Sequence, residues 1–89
     1  SREKFAPICP DFVAEIRSPT DSIVDVQEKM HEYIANGARL GWLIDPVARK
    51  LYIYAASQPV QVIEDPQVVS AGPVLPGFSV DFPGLWRKD

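Results

Sequence analysis

The apolar rhythm of the chain changes several times, and each change marks an element. Residues 11–17 alternate, with Phe12, Ala14 and Ile16 on one face and Asp11, Val13, Glu15 and Arg17 on the other. That is the period of two of a β-strand. Ser18-Pro19-Thr20 closes it, since proline cannot continue a ladder. The spacing then lengthens: Ile23, Val26, Met30, Tyr33 and Ile34 recur every three or four residues, the stripe of an amphipathic helix. Ser22 followed by Asp25 resembles a capping box, and Gly37 stands where a left-handed cap would end the element. A helix is predicted over residues 22–36.

Leu40-Gly41-Trp42-Leu43-Ile44 is a continuous apolar run, the pattern of a strand buried on both faces. Strand, helix and buried strand in succession predict a right-handed βαβ unit with parallel strands. Asp45-Pro46 begins a turn, residues 50–55 alternate as an antiparallel partner, and residues 59–64 alternate again as a further hairpin strand. The tail carries Pro73, Pro76 and Pro83 among short apolar pieces, Val74-Leu75 and Phe78-Ser79-Val80. It reads as a wrapping segment with a short edge strand and a final turn at Leu85-Trp86. Residues 1–10, with Pro7 and Pro10, read as an irregular lead-in. The fold class is α/β (α+β): a mixed sheet in which a βαβ unit is followed by antiparallel strands.

Composition narrows the setting more than the chemistry. Eighty-nine residues form one small domain, and 46% hydrophobic with 24% charged residues is enough for a core. No apolar run is long enough to span a membrane, so no membrane association is expected. Cys9 is the only cysteine, which excludes an internal disulfide or a thiolate zinc cluster within these residues. A reducing, cytoplasmic setting is expected. The net charge of −3 argues against broad affinity for nucleic acid but leaves room for a local cationic site.

The chemistry concentrates on the first strand. Glu15 and Arg17 stand about 6.6 Å apart along one face at ~3.3 Å per residue, close enough for one metal or phosphate to touch both. Asp11 and Glu15, about 13 Å apart by the same rise, cannot share an ion. Glu15 reads either as a solvated or Arg17-paired carboxylate or as a ligand of Mg²⁺, with the carbonyl of Ile16 as a second donor. Lys29 reads either as an i,i+4 partner of Asp25 or as a phosphate clamp or acid–base group. Asp11 fits a strand-start residue bonding locally. His31 has no second His or Cys at ligand spacing, and Cys9 lacks a base, so both point away from chemistry. Trp42 and Trp86 read as core or interface, and Arg39, Arg49 and Lys50 as scattered, solvated charges.

The order of "PDFVAEIRSP", a helix bearing "DVQEKMHEYIANG", then "LGWLIDP", a hairpin and "LPGFSVDFPGLW" resembles the Uma2 family of endonucleases. That family lies in the PD-(D/E)XK nuclease superfamily, with restriction-endonuclease-like architecture. The resemblance implies that residues 1–89 are the C-terminal part of a single larger domain, preceded by a helix and two strands. It implies a metal-dependent endonuclease cutting DNA, with Mg²⁺ (or Mn²⁺) as cofactor. Glu15-Ile16-Arg17 matches the (D/E)-X-K position, so Glu15 and Ile16 are the expected metal ligands. Glu15, Lys29 and Arg17 are the expected catalytic residues. Two departures stand out: the first acidic ligand is missing from these residues, and Arg17 replaces the motif lysine. Lys29 matches the helix lysine that stands in for it in this family. The alternative is a catalytically silent copy serving binding or assembly. Homodimerisation, or association with the missing N-terminal half, is expected against the strand 11–17 side, where Phe12 and Ile16 need cover.

Overall fold

The computed structural model describes residues 10–87. The lead-in expected over residues 1–10, with Cys9, lies outside them except for Pro10. The expected βαβ unit is present: β1 (Phe12–Ile16), α1 (Ile23–Ala35) and β2 (Leu40–Asp45), with β1 and β2 parallel and Glu15 beside Leu43 in register. Two antiparallel strands extend the sheet, β3 (Lys50–Ala55) and β4 (Gln61–Glu64), in the order β1-β2-β3-β4. β4 starts two residues later than its alternation suggested, because Pro59 has no N–H to give a ladder.

Local chemistry sets both ends of α1. The Ser22 hydroxyl accepts the Asp25 N–H at 3.4 Å, the N-terminal half of the expected capping box. Gly37, at φ 109°, takes the left-handed turn that leads the chain back towards the sheet. The helix stripe then packs on one face of the sheet, where buried Met30, Leu43 and Tyr54 gather Val13, Ile23, Val26 and Ile34 around them. Gly41 permits this close approach, since a Cβ there would lie 2.8 Å from Met30 Cε and 3.4 Å from Val13 Cγ2.

The opposite face corrects the reading of the tail. In place of a wrapping segment with one edge strand and a turn, β5 (Val68–Ser70) pairs antiparallel with β6 (Ser79–Asp81) as a separate two-stranded sheet. Phe82–Trp86 then form a short helix, α2. Asp81 caps it by accepting the Gly84 N–H at 3.3 Å, and Pro83 in its first turn removes a donor that would have had no partner. This layer buries Phe82 and Ala71 against Trp42, Ile44 and Leu51. Phe12, expected to need outside cover, is covered by the chain itself: its ring stands edge-on to Trp42 at 5.4 Å and tilted against Phe78 at 5.9 Å. Ile16 remains 62% exposed.

β2 is therefore enclosed by α1 above and the tail below, and its last residue, Asp45, is 1% exposed. A buried carboxylate must be paired and hydrogen-bonded to be tolerated. Both its oxygens meet Arg17 Nη1, at 3.1 and 3.3 Å, and Oδ1 also accepts the Val47 and Ala48 N–H groups. Arg17 Nε donates to the Asp21 carbonyl at 3.3 Å. Asp21 is held in turn by Ser18, whose backbone N–H and then hydroxyl keep its carboxyl below the usual carboxylate range.

Two outcomes follow from this packing. Asp45→Ala strands the Arg17 charge and two N–H groups, and should cost about 3–5 kcal/mol in urea denaturation. A cost below ~1 kcal/mol would show the pair to be incidental. Tyr54, 3% exposed, has its phenol pushed above the usual 10.0, by burial first and the neighbouring Tyr52 second. The folded state therefore keeps a proton that the unfolded chain releases, so this contribution is intact below about pH 10 and is lost as pH rises beyond it. Tyr54→Phe should flatten the alkaline limb of the stability–pH curve; an unchanged slope would assign that limb elsewhere.

Candidate active site

The period of two that puts Phe12 and Ile16 on the tail side sends Val13 and Glu15 towards α1. On α1, Lys29 and Tyr33 are four residues apart and so lie one above the other on the same helix face. The two elements meet at one carboxylate. Lys29 Nζ lies 3.4 Å from Glu15 Oε2, and the Tyr33 hydroxyl donates to the same oxygen at 3.0 Å. Glu15 is partly shielded, with 28% of its side chain exposed, while Lys29 at 53% reaches out from the helix. The i,i+4 alternative, Lys29 with Asp25, is not the contact formed: Lys29 turns inward to the strand.

Glu15 and Arg17 do not pair with each other. Arg17 is committed to Asp45 and the Asp21 carbonyl, so the strand carries two charge pairs side by side, Glu15 with Lys29 and Arg17 with Asp45. An Arg17 side chain only 19% exposed and anchored at two points is poorly free to swing onto a substrate. Both pairs lie at or just beyond the carboxyl ends of the parallel strands β1 and β2, where open α/β sheets place their ligands.

The remaining candidates stand apart. Asp11 uses its backbone carbonyl, accepting the Arg39 and Leu40 N–H groups at 2.9 and 3.1 Å. His31 is exposed and sets its ring edge-on to Tyr54 at 5.1 Å. Trp42 is core, 1% exposed. A groove of about 260 Å³ lined by Ile16, Pro46, Arg49, Leu85 and Trp86 opens on the sheet face away from Glu15. Two members of the site were not singled out from sequence. Asp45 looked like the first residue of a turn, and Tyr33 like one more member of the apolar stripe. Its position four residues after Lys29 was the available signal.

The donor set can be tested for a hard cation. Glu15 Oε1 has no hydrogen-bond partner among the described residues, since both contacts fall on Oε2. The Arg17 N–H donates to the Ile44 carbonyl at 2.9 Å, and the Leu40 N–H to that of Asp11 at 3.1 Å. Odd-numbered residues of β1 thus face β2, and the Ile16 carbonyl points to the other side of β1, where no strand pairs among the described residues. One carboxylate oxygen and one carbonyl fit Mg²⁺, which keeps several waters and binds few protein groups. Two such oxygens are fewer than a cation of this kind requires from its surroundings. No group of three His, Cys, Asp or Glu capable of holding a metal occurs among the described residues.

Comparison with known proteins bears on the same architecture. No curated protein matches the chain. Among solved structures, the chain is similar to one titled as a putative nuclease belonging to DUF820, from Anabaena variabilis. The TM-score is 0.77 at 28% identity, over 89% of this chain and 45% of that one. The chain thus spans less than half the length of that relative, and the restriction-endonuclease-like arrangement of the sheet is shared. The family named Uma2, described as "Putative restriction endonuclease", matches residues 1–83. A match over nearly all of the sequence, together with a shared fold, shows that the chain belongs to the Uma2 family.

Proposed function

We propose that the chain forms the C-terminal part of a metal-dependent endonuclease that hydrolyses phosphodiester bonds in DNA. The observation that carries this reading is the meeting of Glu15 and Lys29 at 3.4 Å, a strand carboxylate and a helix ammonium at the carboxyl end of parallel strands. Family membership supports it independently. Glu15 Oε1 and the Ile16 carbonyl would hold Mg²⁺ (or Mn²⁺), with a second carboxylate supplied from outside the described residues. When bound, such a cation orients the attacking water and offsets charge growing on phosphorus.

The work of the chain's own groups follows from their chemistry. Lys29 has three N–H donors and stands 3.4 Å from Glu15 Oε2 as an ion pair, so it keeps donors for a water or a non-bridging phosphate oxygen. Held beside the carboxylate, it orients the nucleophile for in-line attack. A lysine, unlike an arginine, can also exchange a proton with it. Arg17 braces β1 against β2 through Asp45, and so fixes the end of the strand from which Glu15 and the Ile16 carbonyl project. The side of β1 that pairs with no strand among the described residues, together with the exposed Ile16, supports cover by another segment of the protein or by a second copy.

Plasmid cleavage by the full-length protein in Mg²⁺ tests the assignments together. Glu15→Gln should abolish cleavage, and Lys29→Met should lower it by about 10²–10⁴-fold, the usual range for a lost acid–base group. Arg17→Lys should act mainly through stability. Cleavage that persists undiminished in Glu15→Gln would favour a silent module used for binding or assembly.

A further inference from the structure

One hydrogen bond and one ion-pair contact converge on a single oxygen of Glu15 and leave the other bare among the described residues. Oε2 accepts the Tyr33 hydroxyl at 3.0 Å and faces Lys29 Nζ at 3.4 Å. The Tyr33 hydrogen bond and the ammonium beside it both engage Oε2, while Oε1 has no partner among the described residues. Tyr33 is half-buried, and the chain next to it is fixed by its carbonyl, which accepts the Asn36 and Ala38 N–H groups at 3.2 and 3.1 Å. Its hydroxyl is thus delivered from a rigid helix end. Lys29, more exposed, reaches the same oxygen from one turn earlier.

We infer that Tyr33 is a positioning residue that restricts Glu15 to single-oxygen ligation and thereby selects a small, six-coordinate cation over a larger one. The inference rests on the reading of Glu15 as a metal ligand. Mg²⁺ demands near-octahedral geometry and is content with one oxygen from each carboxylate. Ca²⁺ takes six to eight oxygens and gains from a carboxylate that offers both. With Oε2 bonded to the Tyr33 hydroxyl and faced by the Lys29 ammonium, Glu15 offers a cation Oε1 alone. Removing the phenol hydroxyl releases Oε2 while keeping the ring that fills the space beneath it. Ca²⁺ affinity then rises relative to that of Mg²⁺. A purely structural loss would lower both affinities together and leave their ratio unchanged.

Calorimetric titration of the full-length protein with Mg²⁺ and, separately, Ca²⁺, without nucleic acid, tests this. In Tyr33→Phe the ratio of Mg²⁺ to Ca²⁺ affinity should fall about tenfold or more, the scale on which partners of metal ligands act, at an unchanged thermal midpoint. Lys29→Met frees the same oxygen from its other side and should shift the ratio in the same direction, which keeps the test intact if Tyr33→Phe fails to fold. A ratio within about twofold of wild type in the folded variant overturns the inference while leaving Glu15 a ligand. A wild-type protein that binds neither cation overturns both.

Discussion

The burial of β2 on both faces is the constraint on which the rest of the structure depends. Leu40–Asp45 lies between α1 and the tail layer, and Trp42, Leu43 and Ile44 leave almost no surface to solvent. A strand so enclosed needs its polar ends neutralised, and Asp45 sits inside the enclosure. Arg17 satisfies it from the neighbouring parallel strand. One ion pair therefore joins the exits of β1 and β2 and, through Asp45 Oδ1, shapes the turn at residues 46–48. The ladder and the charge pair together fix how far β1 projects, and so where Glu15 stands.

The site borrows its geometry from that frame. α1 must cover Leu43 and Tyr54, and once Met30 is seated there, Lys29 and Tyr33, which share one flank of the helix beside it, are turned towards β1. The small side of β2 at Gly41 allows the helix to come near enough for a lysine and a tyrosine to reach one carboxylate oxygen. Packing energy places these groups, and the contacts among them are too few to do so alone. An exposed pair such as Glu15–Lys29 contributes little to stability, about 0–1 kcal/mol. Its persistence in the fold is better understood as positioning than as cohesion.

The parts of this arrangement that follow a simple period were legible in the sequence. The alternation of 11–17, the helical stripe from Ile23 to Ile34 and the apolar run at 40–44 each bury a definite face, and the βαβ unit follows from their order. The Ser22 cap and Gly37 were legible for the same reason, because a local bond or a positive φ decides them. β5 was not: Val68-Val69-Ser70 is too short to show a period and pairs only with the distant Ser79–Asp81. Nor could residue type alone separate the two charge pairs. Glu15, Arg17, Lys29 and Asp45 permit several pairings, and only the register of β1 on β2, with α1 above, chooses among them. Tyr33 was hidden because its ring belongs to the apolar stripe while its hydroxyl belongs to the site.

The central proposal is that Glu15, with Lys29 and Tyr33 engaging one oxygen, presents the other to a cation on the side of β1 away from β2. Anomalous diffraction from crystals of the full-length protein soaked in Mn²⁺ tests it most directly. The expected result is a single strong peak roughly 2.1 Å from Glu15 Oε1, within ligand distance of the Ile16 carbonyl, with the Tyr33 and Lys29 contacts to Oε2 retained. A peak coordinated elsewhere, or one bridging both oxygens of Glu15 with Tyr33 displaced, would contradict it.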